Sequence, residues 1–364
     1  MTFPEIPDDT TRASSHVADV VNHAWLALLM SLGERLGLHD VLAGLERPAS
    51  ASEIAGRAGC DARYVAEWAW GMRAGGLLTS ATGADGETLF ALAAGYAPAL
   101  TSRGGPHHWS RITTQITTLA RIEDDLVQAV GTGSGLSADH YEGRVVDVLA
   151  AESGPIFAAV LLEEVLPMLG VADRLEAGAR VLDLGCGTGQ ALGILARRFP
   201  ASSFAGVDQS AGSVALARRR LDDHGLTNVV LTVADAEDEL PEGPFDLVMA
   251  ANVVHDMSDP RGLLTRVYDV TAPGGVIYLH ELGFGDSMED NVTDPHAVGV
   301  LAFSLYHCLP LARRRPGIAP GGMWGRSAYE AALTAAGFVD VVTRRAPSDP
   351  NNDTISARRA LPSE

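Results

Sequence analysis

Three alternating glycines, Gly185, Gly187 and Gly189, follow the apolar run VLDL in the stretch VLDLGCGTGQ, and Asp183 sits two places before the first of them. Glycines at such a turn let the backbone approach a ligand closely. The spacing is G-x-G-x-G rather than the G-x-G-x-x-G that seats a diphosphate on a helix N-terminus. A lysine-containing phosphate loop is excluded as well, because the chain contains no lysine. A carboxylate at the mouth of the turn repels a diphosphate and attracts an ammonium or sulfonium group, more strongly in a drier site. The ligand to expect is a nucleoside with a cationic tail.

S-adenosylmethionine carries both of those cations, and two further acids stand where it needs them. Asp208 ends the run FAGVDQS and is placed to accept from ribose hydroxyls; Asp235 ends LTVADAE and is placed to accept from the adenine amine. Either acid also reads as a helix N-cap after a strand. Cys186 within the glycine turn, Gln209 after Asp208 and Ala236 after Asp235 fall in the same expected cofactor site. In ANVVHDMSDP, His255 and Asp256 come just past the fourth strand, on the ligand side. An imidazole there titrates near the working pH and serves as a base toward a hydroxyl. The alternative is scaffolding, with His255 capping a helix or pairing with Asp256.

These residues need a frame, and the patterning supplies one. From residue 176, strand and helix signals alternate through ARVLDLGC, GQALGILARRF, SSFAGVDQS, AGSVALARRRLDDHG and NVVLTVADAE to FDLVMAANVV, DPRGLLTRVYDVTAPGG and VIYLHELGF. The fold class is α/β, a mainly parallel sheet wrapped by helices, with ligands outside the strand ends. Ahead of it, residues 14–42 read as one or two amphipathic helices, SASEIAGRAG as a helix with a capping box, DARYVAEWAWGMRAGG as another from Asp61, and LLTSATGADGETLFALAA as a hairpin. That order is a mainly helical winged helix. We expect three parts: 1–100, a winged-helix dimerisation and lid domain; 101–170, a helical linker and substrate-lid segment with the Gly-rich GTGSG; and 171–364, the cofactor-binding domain.

The motifs VLDLGCGTG, GVD, AD and APGG together resemble a class I S-adenosylmethionine-dependent methyltransferase over residues 176–285. The resemblance implies a Rossmann-like seven-stranded sheet whose last strands pair antiparallel, the glycine loop around the methionine part of the cofactor, and backbone near Asn252 at its amino end. With its winged-helix front and the tail DSMEDN, YHCLP, GGMWGR, the chain is similar to bacterial, mycobacterial-type methyltransferases of that construction. HDMSD is also similar to the HD-W-S-D segment of plant-type small-molecule O-methyltransferases. On that pattern His255 matches the catalytic base and Glu281 the carboxylate that orients it, while Met257 replaces the aromatic residue. Phe303, Tyr306, His307 and Trp324 are expected in the acceptor pocket, or for Phe303, Tyr306 and Trp324 in plain core; Tyr141 and Glu152 are placed to close over the cofactor.

Composition narrows the function classes. The chain has 364 residues, is 46% apolar and 20% charged, and carries a net charge of −19. Residues 1–100 hold 6 Arg against 12 Asp plus Glu, so the cations that phosphate binding demands are missing. Tyr64, Trp68 and Trp70 are expected to project from the would-be recognition helix as an interface. Without lysine there is no Schiff-base chemistry. The beginning of the chain lacks a secretory pattern and no apolar run is long enough to span a membrane, so the expected location is the cytoplasm. Cys60, Cys186 and Cys308 read as reduced thiols. His107-His108 and Tyr306-His307-Cys308 lack metal-ligand spacing, so no metal is expected.

The function that follows is methyl transfer from S-adenosylmethionine to a small molecule, at a hydroxyl oxygen, with His255 as base and Glu281 as its partner. A homodimer with no nucleic-acid or membrane partner is expected. Transfer to nitrogen, sulfur or carbon, cofactor binding without transfer, and a ligand-responsive regulator are the alternatives.

Overall fold

The computed structural model describes residues 8–143, 145–146, 148, 161–346 and 349–362. Glu152 lies outside them. Two compact units divide the chain, Met1–Ala120 and Arg121–Glu364.

In the first unit the local signals act as read. Helix α1 (Asp8–Arg35) is followed by α2 (Leu38–Leu45) and strand β1 (Ala49–Ser50). The Ser50 hydroxyl accepts from Glu53 N and starts α3 (Ala51–Ala58), which Gly59 closes in the left-handed region at φ 67°. The Asp61 carboxylate accepts from the amides of Arg63 and Tyr64 and starts α4 (Ala62–Ala74). Strands β2 (Leu78–Thr82) and β3 (Thr88–Leu92) make the wing, in a sheet of order β1-β3-β2. Helix α5 (Ser110–Leu119) completes the unit.

One expectation fails on α4. Tyr64 and Trp70 are exposed, but Trp68 is only 2% exposed and donates its indole N–H to Leu29 O at 2.9 Å. Val65, Trp68, Ala69 and Met72 form the buried stripe, at the i, i+3, i+4, i+7 spacing of a helix face turned to a core. Trp68 is therefore a core residue.

The second unit begins with α6 (Glu123–Thr132), so the segment 101–170 is shared between the units. Its sheet has seven strands: β4 (Arg180–Leu184), β5 (Ser203–Asp208), β6 (Val229–Val233), β7 (Phe245–Ala251), β8 (Thr271–Leu282), β9 (Val339–Ala346) and β10 (Asp349–Arg358). The order is β6-β5-β4-β7-β8-β10-β9, parallel through β8 and antiparallel where β10 meets β8 and β9. Helices α7 (Gln190–Arg198), α8 (Ala211–Asp223), α9 (Pro260–Val270) and α10 (Arg326–Ala336) cover it.

Both faces are buried, which explains why the central strands read as near-continuous apolar runs. Leu182, Leu184, Val248 and Ile277 pack with Leu263, Val267 and Leu333 on one side, while Val181, Leu247 and Met249 pack with Leu192 and Leu195 on the other. The strand order reverses direction between β4 and β7, which makes the ends of those strands the crevice of an open sheet. Among the described residues no helix is long and apolar enough to cross a membrane.

Candidate active site

The turn from β4 to α7 is shaped by its glycines. A Cβ on Gly185, at φ 62°, would stand 2.3 Å from Val253 Cγ2, so this residue lets the turn lie against the end of β7. Gly187, at φ 51°, faces the other way: a Cβ there would meet nothing nearer than Gly185 O at 4.0 Å. That side of the turn leaves its backbone uncovered by side chains. Asp183 is buried, and burial first, then the charge of Asp208, push its pKa up to about 8. Cys186 is buried in the turn, and burial followed by the charges of Asp183 and Asp208 raises its thiol pKa, so it stays protonated.

Asp208 ends β5 with both oxygens engaged. Oδ2 accepts from Gly187 N at 2.9 Å and Oδ1 from Ser210 N at 2.8 Å. Burial raises its pKa against those two amides, and each oxygen keeps a lone pair for a further donor. Gln209 is half-buried beside it. Glu142, which the sequence reading missed, accepts from Ser210 Oγ at 2.7 Å and Gly212 N at 3.2 Å.

Asp235 is placed differently from what its motif implies. Oδ1 accepts from Glu237 N at 2.9 Å, the local cap geometry. Oδ2 accepts from Arg314 Nη2 at 2.9 Å and lies 3.0 Å from Arg315 Nη2. Arg314 also reaches Glu237 at 2.7 Å, and Arg315 binds Asp238. The carboxylate expected on adenine is thus held in an arginine ion pair that no local pattern announces. Ala236 is buried and its carbonyl accepts from Arg266. Asn252, at φ 52°, donates its amide to His280 O at 2.7 Å with an exposed side chain.

Past β7 a single helical turn, Val254–Asp256, carries the imidazole. His255 is 2% exposed; Nδ1 donates to Glu281 Oε2, and Nε2 lies 3.3 Å from Asp256 Oδ1. Glu281 comes from β8 and is fully buried. Its Oε1 accepts from the amides of Val253 at 3.2 Å and Val254 at 2.9 Å, and its Oε2 from Tyr329 OH at 3.1 Å. Burial works against a charge on His255, but the carboxylates of Asp256 and Glu281 outweigh it and raise the pKa well above 6.5. Met257 is buried in the core.

The expected acceptor-pocket residues fall into two groups. His307 lies in a π-helical turn, Ser304–Cys308, stacked on Phe303 at 5.1 Å and edge-on to Tyr141 at 4.7 Å. Its Nδ1 is 3.9 Å from Asp256 Oδ2, and burial holds the imidazole neutral. Tyr141 donates to Tyr306 O at 2.9 Å, whereas the Tyr306 hydroxyl turns to Glu123 at 3.1 Å. Trp324 stands apart, in the core against Tyr329 at 4.5 Å. Cys308 is buried within the His255 and Asp256 group, and burial pushes its thiol pKa up to about 12.

Residues 175–299 match the family described as a methyltransferase domain, and residues 24–102 the Rv2258c-like winged HTH domain. The chain carries a methyltransferase domain. Similarity to known proteins runs through it. The trans-aconitate 2-methyltransferase of Methylobacterium nodulans is 37% identical over 121 residues, 33% of this chain and 42% of that protein. The arsenite methyltransferase of Aquipseudomonas alcaligenes is 34% identical over 172 residues, 40% of this chain and 50% of that protein. The chain thus spans half or less of the length of these curated relatives.

Solved structures match end to end. A putative O-methyltransferase from Nostoc punctiforme aligns with a TM-score of 0.69 at 19% identity, covering 98% of this chain and 100% of that one. The mitomycin 7-O-methyltransferase aligns at 0.68 and 18%, covering 96% and 98%. Human N-acetylserotonin methyltransferase, solved with SAM, aligns at 0.64 and 20%, covering 99% and 100%. They share the fold of the methyltransferase domain and of the winged helix ahead of it.

Proposed function

We propose that this chain transfers the methyl group of S-adenosylmethionine to a hydroxyl oxygen of a small molecule, with His255 receiving the proton. The carrying observation is the pair of acids at the glycine turn, the buried Asp183 and the half-buried Asp208. Neither has an ion-pair partner among the described residues, and the open face of Gly187 adjoins them. A dry carboxylate in want of a counter-charge fits a cationic ligand. Asp183 and the turn hold the cationic tail, and the spare lone pairs of Asp208 accept from ribose. Bound there, the cofactor supplies a methyl group on positively charged sulfur, so the protein's task is alignment and exclusion of water.

On the acceptor side the decisive group is His255. Glu281 fixes Nδ1 as a donor. Against burial, the two carboxylates beside it hold the His255 pKa well above the ordinary imidazole value expected of a base near working pH, so Nε2 must first give up its proton before it carries the lone pair that receives one from the acceptor. A proton taken from the acceptor then rests on an imidazolium flanked by two carboxylates, Glu281 and Asp256. The names of two of the structural neighbours above, both O-methyltransferases, support oxygen as the site of transfer. Arg63 on α4 is already paired with Glu67 at 2.5 Å, which takes one cation of that helix away from phosphate binding.

Two further features support the setting. Val17, Val21, Trp25, Leu28 and Leu32 make an exposed apolar stripe on α1, which supports a homodimer. Three free cysteines suit a reducing cytoplasm. The test is equilibrium dialysis with S-adenosylmethionine, followed by measurement of S-adenosylhomocysteine release against a panel of hydroxylated acceptors. Uptake with release that His255→Ala abolishes is expected. No uptake would overturn the reading, and undiminished release by His255→Ala would remove His255 from it.

A further inference from the structure

We propose that His255, Asp256 and Cys308 form a binding site for one divalent cation of the zinc or cobalt kind, with His307 as a fourth donor. Neither dipeptide shows this alone. His255-Asp256 follows β7 and His307-Cys308 lies in the π-helical turn, and only the fold brings them together.

The donor atoms stand close to the spacing a metal ion requires. One donor atom from each of His255, Asp256 and Cys308 lies within 4.8 Å of the others. His255 Nε2 and Asp256 Oδ1 are 3.3 Å apart. Zinc bonds of about 2.0–2.3 Å in a tetrahedron put neighbouring donors roughly 3.3–3.8 Å apart, so closure takes shifts of about an ångström or less. Two buried atoms here make no hydrogen bond: Asp256 Oδ1 and His307 Nδ1. His307 Nδ1 stands 3.9 Å from the other Asp256 oxygen, Oδ2; buried polar atoms are ordinarily satisfied, and two unsatisfied ones on neighbouring side chains call for a ligand. Asp256 as a whole residue is 8% exposed, so its oxygen is not answered by bulk water.

The surroundings agree with that choice of ion. His255 donates its other nitrogen to Glu281, and Glu281 is fixed by the Val253 and Val254 amides and Tyr329 OH. A carboxylate behind a ligating histidine sets its tautomer and strengthens it as a donor. Imidazole, carboxylate and thiolate together select a borderline metal such as zinc or cobalt over magnesium or calcium. Binding would engage the Nε2 lone pair that receives the proton in the reading above. The site itself is independent of that reading; its consequence, inhibition of methyl transfer by the metal, rests on it.

The test uses the full chain after chelator treatment, with folding checked by circular dichroism. Titration with Co2+ is expected to give one equivalent bound and a near-ultraviolet thiolate-to-cobalt band, and Zn2+ is expected to displace it one for one. Cys308→Ser is expected to abolish the band and weaken Zn2+ at least a hundredfold, His307→Ala to weaken it about tenfold, and Cys60→Ser to change neither. Absence of stoichiometric binding by the folded wild type, or wild-type affinity in Cys308→Ser, would overturn the site. Should the wild type release S-adenosylhomocysteine, one equivalent of Zn2+ is expected to stop it and chelator to restore it. Unchanged turnover with the metal bound would overturn the base role of His255 and leave the site standing.

Discussion

Glu281 binds His255 twice over, with one oxygen on the imidazole Nδ1 and the other on the backbone that leads into the histidine, at Val253 N and Val254 N. Ring and loop are therefore set by the same carboxylate. Because Glu281 lies on β8 and the histidine turn follows β7, the parallel pairing of β7 with β8 fixes where the imidazole stands.

This relationship predicts the outcome of Glu281→Gln. The amide oxygen can still accept from Val253 and Val254, which puts the amide nitrogen toward His255 Nδ1. That nitrogen must then become an acceptor, and the neutral ring carries its proton on Nε2, where no further proton can be taken up. S-adenosylhomocysteine release should fall by about 10²–10⁴-fold, the usual share of a general base. Cofactor affinity, followed by titration, should change little. Wild-type turnover in this variant would show that the pair is scaffold.

A second prediction concerns pH and Asp183. Its pKa rises from 3.8 to about 8 on folding, so between those values the native state holds a proton that the unfolded chain has lost. Stability of the ligand-free protein must therefore fall as pH rises through that window, and level off above it. A cationic ligand reverses the balance by drawing Asp183 into its charged form. Cofactor affinity should rise by up to about tenfold per pH unit below pH 8 and flatten beyond. Asp183→Asn should remove both effects, raising the melting temperature at pH 9 while abolishing cofactor binding. A flat affinity profile for the wild type would place the cation elsewhere.

The first unit supplies the opposite sign. Glu34 accepts from His108 Nε2 at 2.9 Å and from Ser110 Oγ, and its pKa falls to about 2: burial works against the shift, and the His39 imidazole 3.7 Å away together with the bonds to Ser110 and His108 overcomes it. The depressed value contributes stability that is complete above the ordinary 4.5 and is lost as pH falls toward 2. Thermal melts between pH 5 and 2.5 should show this loss in the wild type and a shallower slope in Glu34→Gln. Identical slopes would mean that the Glu34 cluster does not titrate with unfolding.

What the sequence made legible is what local rules govern. The Ser50 and Asp61 caps, the Gly59 stop, the hairpin after α4 and the glycine turn each depend on a few neighbouring residues, and each reads directly. The stripe Val65, Trp68, Ala69, Met72 is also present in the pattern, and its helical spacing, against the surface role that an aromatic on such a helix suggests, places the tryptophan in the core. Pairings across long separations were not legible. Neither Cys308 beside His255, nor Tyr329 on Glu281, nor Arg314 on Asp235 leaves a periodicity or motif, since each is set by how two distant elements happen to dock.

The last of these pairings makes a prediction against the motif. In Asp235 one oxygen serves the Glu237 amide and the other the Arg314 guanidinium, which also binds Glu237; the side chains are 14%, 10% and 6% exposed. Asp235→Asn keeps the size and one acceptor but removes the charge, leaving Arg314 to Glu237 alone. Breaking one partner of such a buried pair costs about 3 kcal/mol in the stronger cases, so the melting temperature should drop by several degrees. An adenine amine, by contrast, would have to share an oxygen that arginine already holds, and its loss should change cofactor affinity by about threefold or less, a fraction of one net hydrogen bond's worth. The two effects separate in one experiment, thermal melts with and without S-adenosylmethionine alongside a cofactor titration. A large loss of affinity at unchanged stability would return Asp235 to the adenine and mean that Arg314 swings away when the cofactor binds.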